Sequence, residues 1–374
     1  MAAGRRQFIA GLGAAAAGAA LARPALADSS PDVEWRLTSS FPPTLDLIYG
    51  GGETIARALL DLTDGHFALR ISPAGEIAPP LEALDAVADG RAECAHTALA
   101  YAWSKAPSLV FASATPFGMN AREQAAWLRE GGGGELIDEL LAERKAFALP
   151  AGNTGGQMAG WFRKEIRGPG DFAGLKMRVG GFAGKIFQTL GAEPATMAKE
   201  AVYGALESGA LDAFEWVGPY DDEKFGAGKD APALVISKVA PNYYYPGWWK
   251  GGMQLHLVVA KDKFDSLPKS YQAALRAAAA AADAAMLAKY DAANPGALKR
   301  LVVGGAQLRL FPQEALEACY KTASDLYAQL SADDPKFKKV ADSYLAFRGD
   351  QYLWWQVAEY SFDNFMIRAR RSRS

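Results

Sequence analysis

Gly152-Asn153-Thr154-Gly155-Gly156 divides this chain. On its N-terminal side short apolar segments alternate with longer segments of helical period, and beyond it the same alternation begins again. Val33 to Ser39 reads as extended, Leu45 to Leu62 as helix, and Phe67 to Ser72 as extended between Gly65 and Pro73. Leu81 to Asp89 reads as helix, Glu93 to Thr97 as strand, Arg122 to Arg144 as helix and Ala146 to Pro150 as strand. After the glycines come a strand from Leu175 to Val179, helices from Ala183 to Leu190 and from Val202 to Glu207, and a strand from Leu211 to Trp216. This is βαβ grammar written twice, which implies two α/β domains. Glycine tolerates the backbone changes that closure demands, so the hinge is expected in the glycine cluster.

Further on, Tyr243-Tyr-Tyr-Pro-Gly-Trp-Trp249 forms an aromatic segment, and Met253 to Ala260 alternates like a strand. The chain then reads as helical to its end. Pro268 and Lys269 open a long helix through the alanine-rich stretch Ala273 to Ala288. Helices also fit Pro312 to Leu330, Pro335 to Phe347 and Gln351 to Arg368. The last carries Trp355, Phe362, Phe365 and Met366 at spacings that bring several onto one face. Such a face packs on its own chain or meets a second subunit.

Half of the 374 residues are hydrophobic, enough for one or two packed cores and incompatible with a disordered chain. The first 27 residues read as a twin-arginine signal peptide: Arg5-Arg6-Gln7-Phe8-Ile9, an Ala/Gly/Leu stretch, then Ala25-Leu26-Ala27 as cleavage site. An ordinary export signal that carries two arginines fits the same residues. Either route puts the protein outside the cytoplasm. Removal of Arg5, Arg6 and Arg23 takes the formal charge from -2 to -5, and no basic stripe remains to neutralise phosphates, so nucleic acid is not an expected partner. No later apolar run reaches the roughly eighteen residues of a membrane span. Cys94 and Cys319 lie far apart in no recognisable motif, and read as buried thiols unless the fold brings them within reach of each other.

No catalytic constellation emerges. The three histidines, His66, His96 and His256, lack metal-site spacing, and no G-x-S-x-G elbow occurs. Gly180-Gly-Phe-Ala-Gly184-Lys185-Ile186 is one residue short of a P-loop and has Ile186 where Ser or Thr must hold magnesium. It still joins a strand to a helix, so it is either an anion-facing turn or a bare one. Arg178 sits just before it, near the C-terminal end of a strand, where open α/β domains place ligands. A guanidinium there grips a carboxylate or forms a surface salt bridge. Two charge-assisted hydrogen bonds of roughly 1.5 to 3 kcal/mol each would supply much of the roughly 8 kcal/mol of a micromolar complex. The glycine loop offers Asn153 and Gln157, and Glu215 ends another strand, where it needs either a cation or an arginine.

Taken together, Gly152-Asn-Thr-Gly-Gly-Gln-Met-Ala-Gly-Trp-Phe162, Leu175-Lys-Met-Arg-Val-Gly-Gly-Phe-Ala-Gly-Lys185, Glu215-Trp-Val-Gly-Pro-Tyr-Asp-Asp-Glu-Lys224 and Tyr243-Tyr-Tyr-Pro-Gly-Trp-Trp249 resemble the substrate-binding proteins of TRAP transporters, the DctP-like solute-binding family. The likeness runs from Trp35 to the C-terminal helix and is strongest to the branch that binds alpha-keto acids and lactate. It implies a two-lobed periplasmic-binding-protein fold, type II-like, that closes on its ligand and delivers it to a membrane permease. It implies that Arg178 holds the carboxylate, that Asn153 and Tyr101 contact the ligand with Trp216 beside it, and that Gln157, Glu215 and the Trp216 carbonyl hold a sodium or calcium ion (Na+ or Ca2+) bridging that carboxylate. It also implies a homodimer through the long C-terminal helices. The branch commonly has an acidic residue after the paired tryptophans; here the residue is Lys250, whose charge counts against a metal: its ammonium either stands in the cation's place, contacting Glu215 or the ligand carboxylate as a substrate-binding group, or points to solvent.

The expected function is therefore that of an exported receptor for a small monocarboxylate, a 2-oxo or 2-hydroxy acid such as pyruvate or lactate, and not of an enzyme. An exported enzyme acting on a small organic acid and a sensory receptor are the alternatives. The expected division is residues 33–152 and about 217–258 in the first domain, about 153–216 and 259–300 in the second, and 301–374 as helices packing across both and offering the dimer contact.

Overall fold

The computed structural model describes residues 31–371 except 196, 198 and 226–234; the export signal expected over residues 1–27 lies outside the described residues. The strands are β1 (Val33–Ser39), β2 (Phe67–Ser72), β3 (Cys94–Thr97), β4 (Ala146–Asn153), β5 (Gly160–Phe162), β6 (Lys176–Arg178), β7 (Glu193–Ala195), β8 (Ala213–Phe214), β9 (Asn242–Tyr245), β10 (Gln254–Ala260) and β11 (Gln307–Leu310). They form two mixed sheets, ordered β2-β1-β3-β10-β4 and β11-β9-β5-β8-β6-β7. The principal helices are α1 (Asp46–Leu62), α2 (Ala121–Glu130), α3 (Gly133–Ala142), α4 (Gly181–Thr189), α5 (Lys199–Ser208), α6 (Lys269–Val303), α7 (Gln313–Asp333), α8 (Pro335–Trp355) and α9 (Ser361–Arg371).

In the first sheet β1 runs parallel to β2 and β3, with Trp35 and Leu37 turned into the core and Glu34 and Arg36 turned out. β10 lies antiparallel between β3 and β4, and all seven of its residues are buried, as befits a central strand covered on both faces. The chain leaves this sheet at Asn153 and returns to it at Gln254, and these two residues are partners in the β4/β10 ladder. Helix α6 makes a third crossing: it packs on β4 and α1 and against Pro219–Asp222, and it leads into β11 of the second sheet.

Strand pairing divides the chain differently from the expected boundaries. β9 was expected in the first lobe, within 217–258, yet it pairs with β5 and β11 in the second sheet. Its Tyr243 ring stacks on Trp161 of β5 at 4.0 Å, and Tyr244 packs on Phe162 at 4.9 Å, so the aromatic segment is second-lobe core. Residues 259–300 were expected in the second lobe, but much of α6 packs on β4 and α1 of the first. β11, expected as part of a helical tail, is the edge strand of the second sheet.

The single helix expected over Arg122 to Arg144 is two. Asn120 and Glu123 form a reciprocal capping box that starts α2, which ends at Gly131. Gly132 adopts φ +78, and a Cβ on Gly133 would stand 2.3 Å from the Trp127 ring, so α3 folds back over a contact only glycine permits. Helices α7 and α8 tie both lobes together: Tyr327 meets Phe182 of the second lobe at 4.9 Å and Phe111 of the first at 6.0 Å, while Tyr344 meets Trp127 edge-on at 5.1 Å. A π-turn at Gln356–Tyr360 joins α8 to α9. Arg122 pairs with Glu359 and covers the Trp355 ring, which anchors this junction. Cys94 and Cys319 are buried and free. No described helix is long and apolar enough to cross a membrane.

Candidate functional site

Strands β6 and β8 run parallel, with Arg178 opposite Phe214, so the chain emerges from both at the same end of the sheet. Arg178 and Glu215 meet there because the Glu215 N–H donates to the Arg178 carbonyl at 3.2 Å. The Arg178 guanidinium donates from Nη1 to the Glu215 carbonyl at 2.9 Å and from Nε to the Met197 carbonyl at 3.3 Å. Its plane lies over the Trp216 ring, 5.2 Å from Cζ to the ring centre. Nη2 has no hydrogen-bond partner among the described residues, which leaves one side of the fork for a ligand.

Lys250 follows the paired tryptophans in the turn between β9 and β10. Its Nζ donates to Glu215 Oε2 at 2.9 Å, while Arg178 Nη1 stands 4.0 Å from Oε1. One carboxylate therefore lies between two cationic side chains, all three largely shielded from solvent. The Lys199 ammonium adds a third positive charge 5.6 Å from the centre of the Trp216 ring.

The glycine loop comes to the same place from the lobe crossing. Asn153 Oδ1 accepts from the Gly155 N–H at 2.9 Å and its Nδ2 donates to Gln254 Oε1 at 3.1 Å, which leaves one amide hydrogen. Gln157 Nε2 donates to Thr154 Oγ1 at 2.9 Å, and the backbone N–H of Gln157 donates to the Lys250 carbonyl at 3.3 Å. Gln157 Oε1 is buried without a partner among the described residues. From the first lobe, Tyr101 stands on the short turn Leu99–Ala102 after β3, 6.1 Å from the Phe41 ring. Burial pushes its hydroxyl up to about 12; the Glu215 charge adds to that rise and Arg178 opposes it, which sets Tyr101 in the field of the second-lobe pair. The structure thus brings Arg178, Glu215, Trp216 and Lys250 into direct contact, sets Asn153 and Gln157 along the adjoining loop, and places Tyr101 facing them.

Two groups escaped the sequence reading. Asp283 interrupts the alanines of α6 and accepts from the Gly152 N–H at 3.0 Å, from Gln254 Nε2 at 2.7 Å and from Arg129 Nη2 at 2.7 Å. It fixes the crossing that carries Asn153. The one signal for it was an acid after six consecutive alanines, Ala277 to Ala282, on an otherwise apolar face. The second group is Asp222, whose Oδ2 accepts from Trp161 Nε1 at 2.9 Å and Tyr243 Oη at 2.7 Å, and whose Oδ1 accepts from the Val217 N–H at 3.3 Å. Burial raises it to about 6, and its neighbour Asp221, bonded to Tyr290 at 2.7 Å, to about 7. Just outside them Asp46 of α1 accepts from Tyr220 Oη at 2.8 Å and Lys224 Nζ at 3.0 Å, an external link between the lobes. A separate cavity of about 410 Å³, lined by Arg129, Glu130, Asp138 and His256 among others, includes none of Arg178, Glu215, Trp216 and Lys250.

Residues 38–334 match the family model described as bacterial extracellular solute-binding protein, family 7. This chain belongs to that family. A relative in a Nostoc species, described as a monocarboxylate 2-oxoacid-binding periplasmic protein, is 42% identical over 335 residues, 90% of this chain and 89% of that one. A solved TRAP transporter solute-binding protein from Bordetella bronchiseptica is 39% identical with a TM-score of 0.86 and covers 92% of this chain and 100% of its own; it is a dimer with copurified calcium and picolinate in one site and the other site apo. A solved periplasmic TRAP protein from Pseudoalteromonas atlantica, with bound sodium and pyruvate, is 33% identical with a TM-score of 0.82 and covers 89% of this chain and 99% of its own. The two-sheet, two-lobed α/β fold described above is the fold of these family members.

Solved family members therefore carry calcium or sodium with the organic acid, and the donor set of this chain can be tested for such an ion. The orphaned Gln157 Oε1 suits one. The remainder does not. Among the described residues no group of three or more His, Cys, Asp or Glu is placed to hold a metal ion, and Glu215 already holds an ammonium at 2.9 Å. An ion bound to the same carboxylate at roughly 2.4 Å would sit within about 5 Å of that ammonium, and a divalent charge there would be repelled by about 7 kcal/mol at an effective dielectric of about 20. Ion and ammonium compete for one carboxylate.

Proposed function

We propose that this family member is the periplasmic receptor of a TRAP-type transporter, that it captures a small 2-oxo or 2-hydroxy monocarboxylate such as pyruvate or lactate, and that it hands the acid to a membrane permease. The observation that carries the reading is the half-committed guanidinium of Arg178, held by two backbone carbonyls and a tryptophan face with its remaining fork open. In this reading Arg178 takes the carboxylate, the spare amide hydrogen of Asn153 and the Tyr101 hydroxyl take the remaining oxygens, and Trp216 supplies apolar cover. Lobe closure about the Gly152–Gly156 loop encloses the acid. Residues 1–27 carry the protein to the periplasm by the twin-arginine route. The acid leaves unchanged in this reading, because among the described residues the site holds carboxylate-binding groups and no nucleophile beside a base.

Calorimetric titration with pyruvate, lactate and longer 2-oxo acids, with an unsubstituted fatty acid and a sugar acid as controls, tests this. The expected outcome is micromolar or tighter binding, roughly 8 kcal/mol or more, for at least one 2-oxo or 2-hydroxy acid, with no turnover. Absence of heat with every member of the panel overturns the substrate class.

A second reading concerns assembly. Leu353, Trp354, Val357, Phe362, Phe365 and Ile367 are all more than half exposed along α8, the π-turn and α9, an apolar surface of a kind that monomeric proteins seldom leave to water. A second copy of this chain, paired through these helices, covers it in this reading. Sedimentation velocity is expected to show a dimer that Trp354→Glu with Phe365→Glu converts to a monomer. A wild-type monomer at all concentrations rejects it.

A further inference from the structure

The arrangement around Glu215 has an electrostatic property separate from its ability to grip an acid. We infer that the Lys250 ammonium is a built-in counter-charge that does the work of the cation found in solved relatives, so that this receptor binds its acid without sodium or calcium. The inference rests on the carboxylate-binding reading above and deepens it.

The first ground is direct occupancy. Lys250 Nζ already fills one oxygen of Glu215 at 2.9 Å, and the pair is shielded from solvent, with 21% of the lysine side chain and 12% of the glutamate side chain accessible. The second is charge balance. Arg178 and Lys250 contribute two positive charges and Glu215 one negative, so a bound monocarboxylate brings this cluster to neutrality. Lys199, against the Trp216 ring, already tilts the surroundings positive. A sodium or calcium ion would add one or two charges to a cluster that the bound acid already brings to neutrality. The third is anchoring. The Lys250 carbonyl accepts from the Gln157 N–H, and the Lys250 N–H donates to the Gly247 carbonyl at 2.9 Å, so the backbone that carries the ammonium is held on both sides.

The test uses the full mature protein. Elemental analysis, calcium titration without any acid, and pyruvate titration in chelator, in sodium-free buffer and with added calcium are run on the wild type, Lys250→Asp and Lys250→Met. Thermal melts by circular dichroism establish that each variant is folded. The wild type is expected to hold no stoichiometric metal, to give no calcium heat, and to bind pyruvate equally under all three ion conditions. Lys250→Asp is expected to acquire calcium binding, and to bind pyruvate roughly 10- to 100-fold more weakly in chelator than with calcium. Lys250→Met is expected to be weak under every condition.

A wild type that binds calcium alone, or whose pyruvate affinity falls at least tenfold in chelator and recovers with calcium, overturns the inference. If no acid binds under any condition, the carboxylate-binding reading fails by itself. The calcium titrations of wild type and Lys250→Asp still decide whether the ammonium excludes the ion.

Discussion

Arg178→Met is expected to weaken pyruvate binding by two to four orders of magnitude while leaving the protein folded. The side chain would offer the ligand charge-assisted hydrogen bonds of roughly 1.5 to 3 kcal/mol each, and their loss leaves the acid's carboxylate desolvated against Trp216 without a partner. Arg178→Lys keeps the charge and discards the fork. A lysine cannot bond the Glu215 and Met197 carbonyls, cover Trp216 and hold a carboxylate at once, so a loss of roughly 10- to 100-fold is expected even there. Calorimetry gives the affinities and a chemical melt the fold. An affinity of Arg178→Met within threefold of the wild type would remove Arg178 from the site.

The second large effect is in the frame that holds the pair. Gly160 opens β5 at φ +95, and a Cβ there would lie 2.2 Å from the Phe214 carbonyl oxygen and 2.8 Å from the Glu215 Cα. Both neighbours are backbone, so no flexible side chain can yield. Gly160→Ala is expected to lose about 3 to 5 kcal/mol of stability from the strained φ and the overpacked contact together, and to lose acid binding as well, because the atoms displaced carry Glu215. Gly180→Ala is the matched control: nothing lies within 4 Å of its Cβ position and its φ of -126 suits any residue, so a change of about 1 kcal/mol or less is expected. Urea unfolding reads both. Equal midpoints for Gly160→Ala and the wild type would mean that β5 and β8 are not held as closely as described.

Local pattern told most where an element was long and one face had to be buried. β1 and β2 were placed to the residue and α1 to within one, because hydrophobic alternation and helical period persist there. Three of the short strands were missed. β5, β7 and β11 have three or four residues each and exist because a neighbour pairs with them, whereas β6 and β8, no longer, were read from the apolar segments around them. The break between α2 and α3 was written in Gly131 to Gly134, but only the Trp127 ring against Gly133 explains why the chain must turn there. The lobe boundaries were the largest departure, since nothing local to β9 names its sheet and only its ladder with β5 assigns it.

The sequence by itself determined that the chain is a two-part α/β protein joined at a glycine loop, that Arg178 and Glu215 end strands, and that a lysine, Lys250, follows the paired tryptophans. Those properties are local: period, turn chemistry and residue type. Only the tertiary structure decided that the Lys250 ammonium reaches Glu215 at 2.9 Å, that Asp283 holds the crossing, and that α6 returns the chain to the second sheet. These depend on the distance between segments far apart in the chain, and that distance is set by packing around both lobes at once.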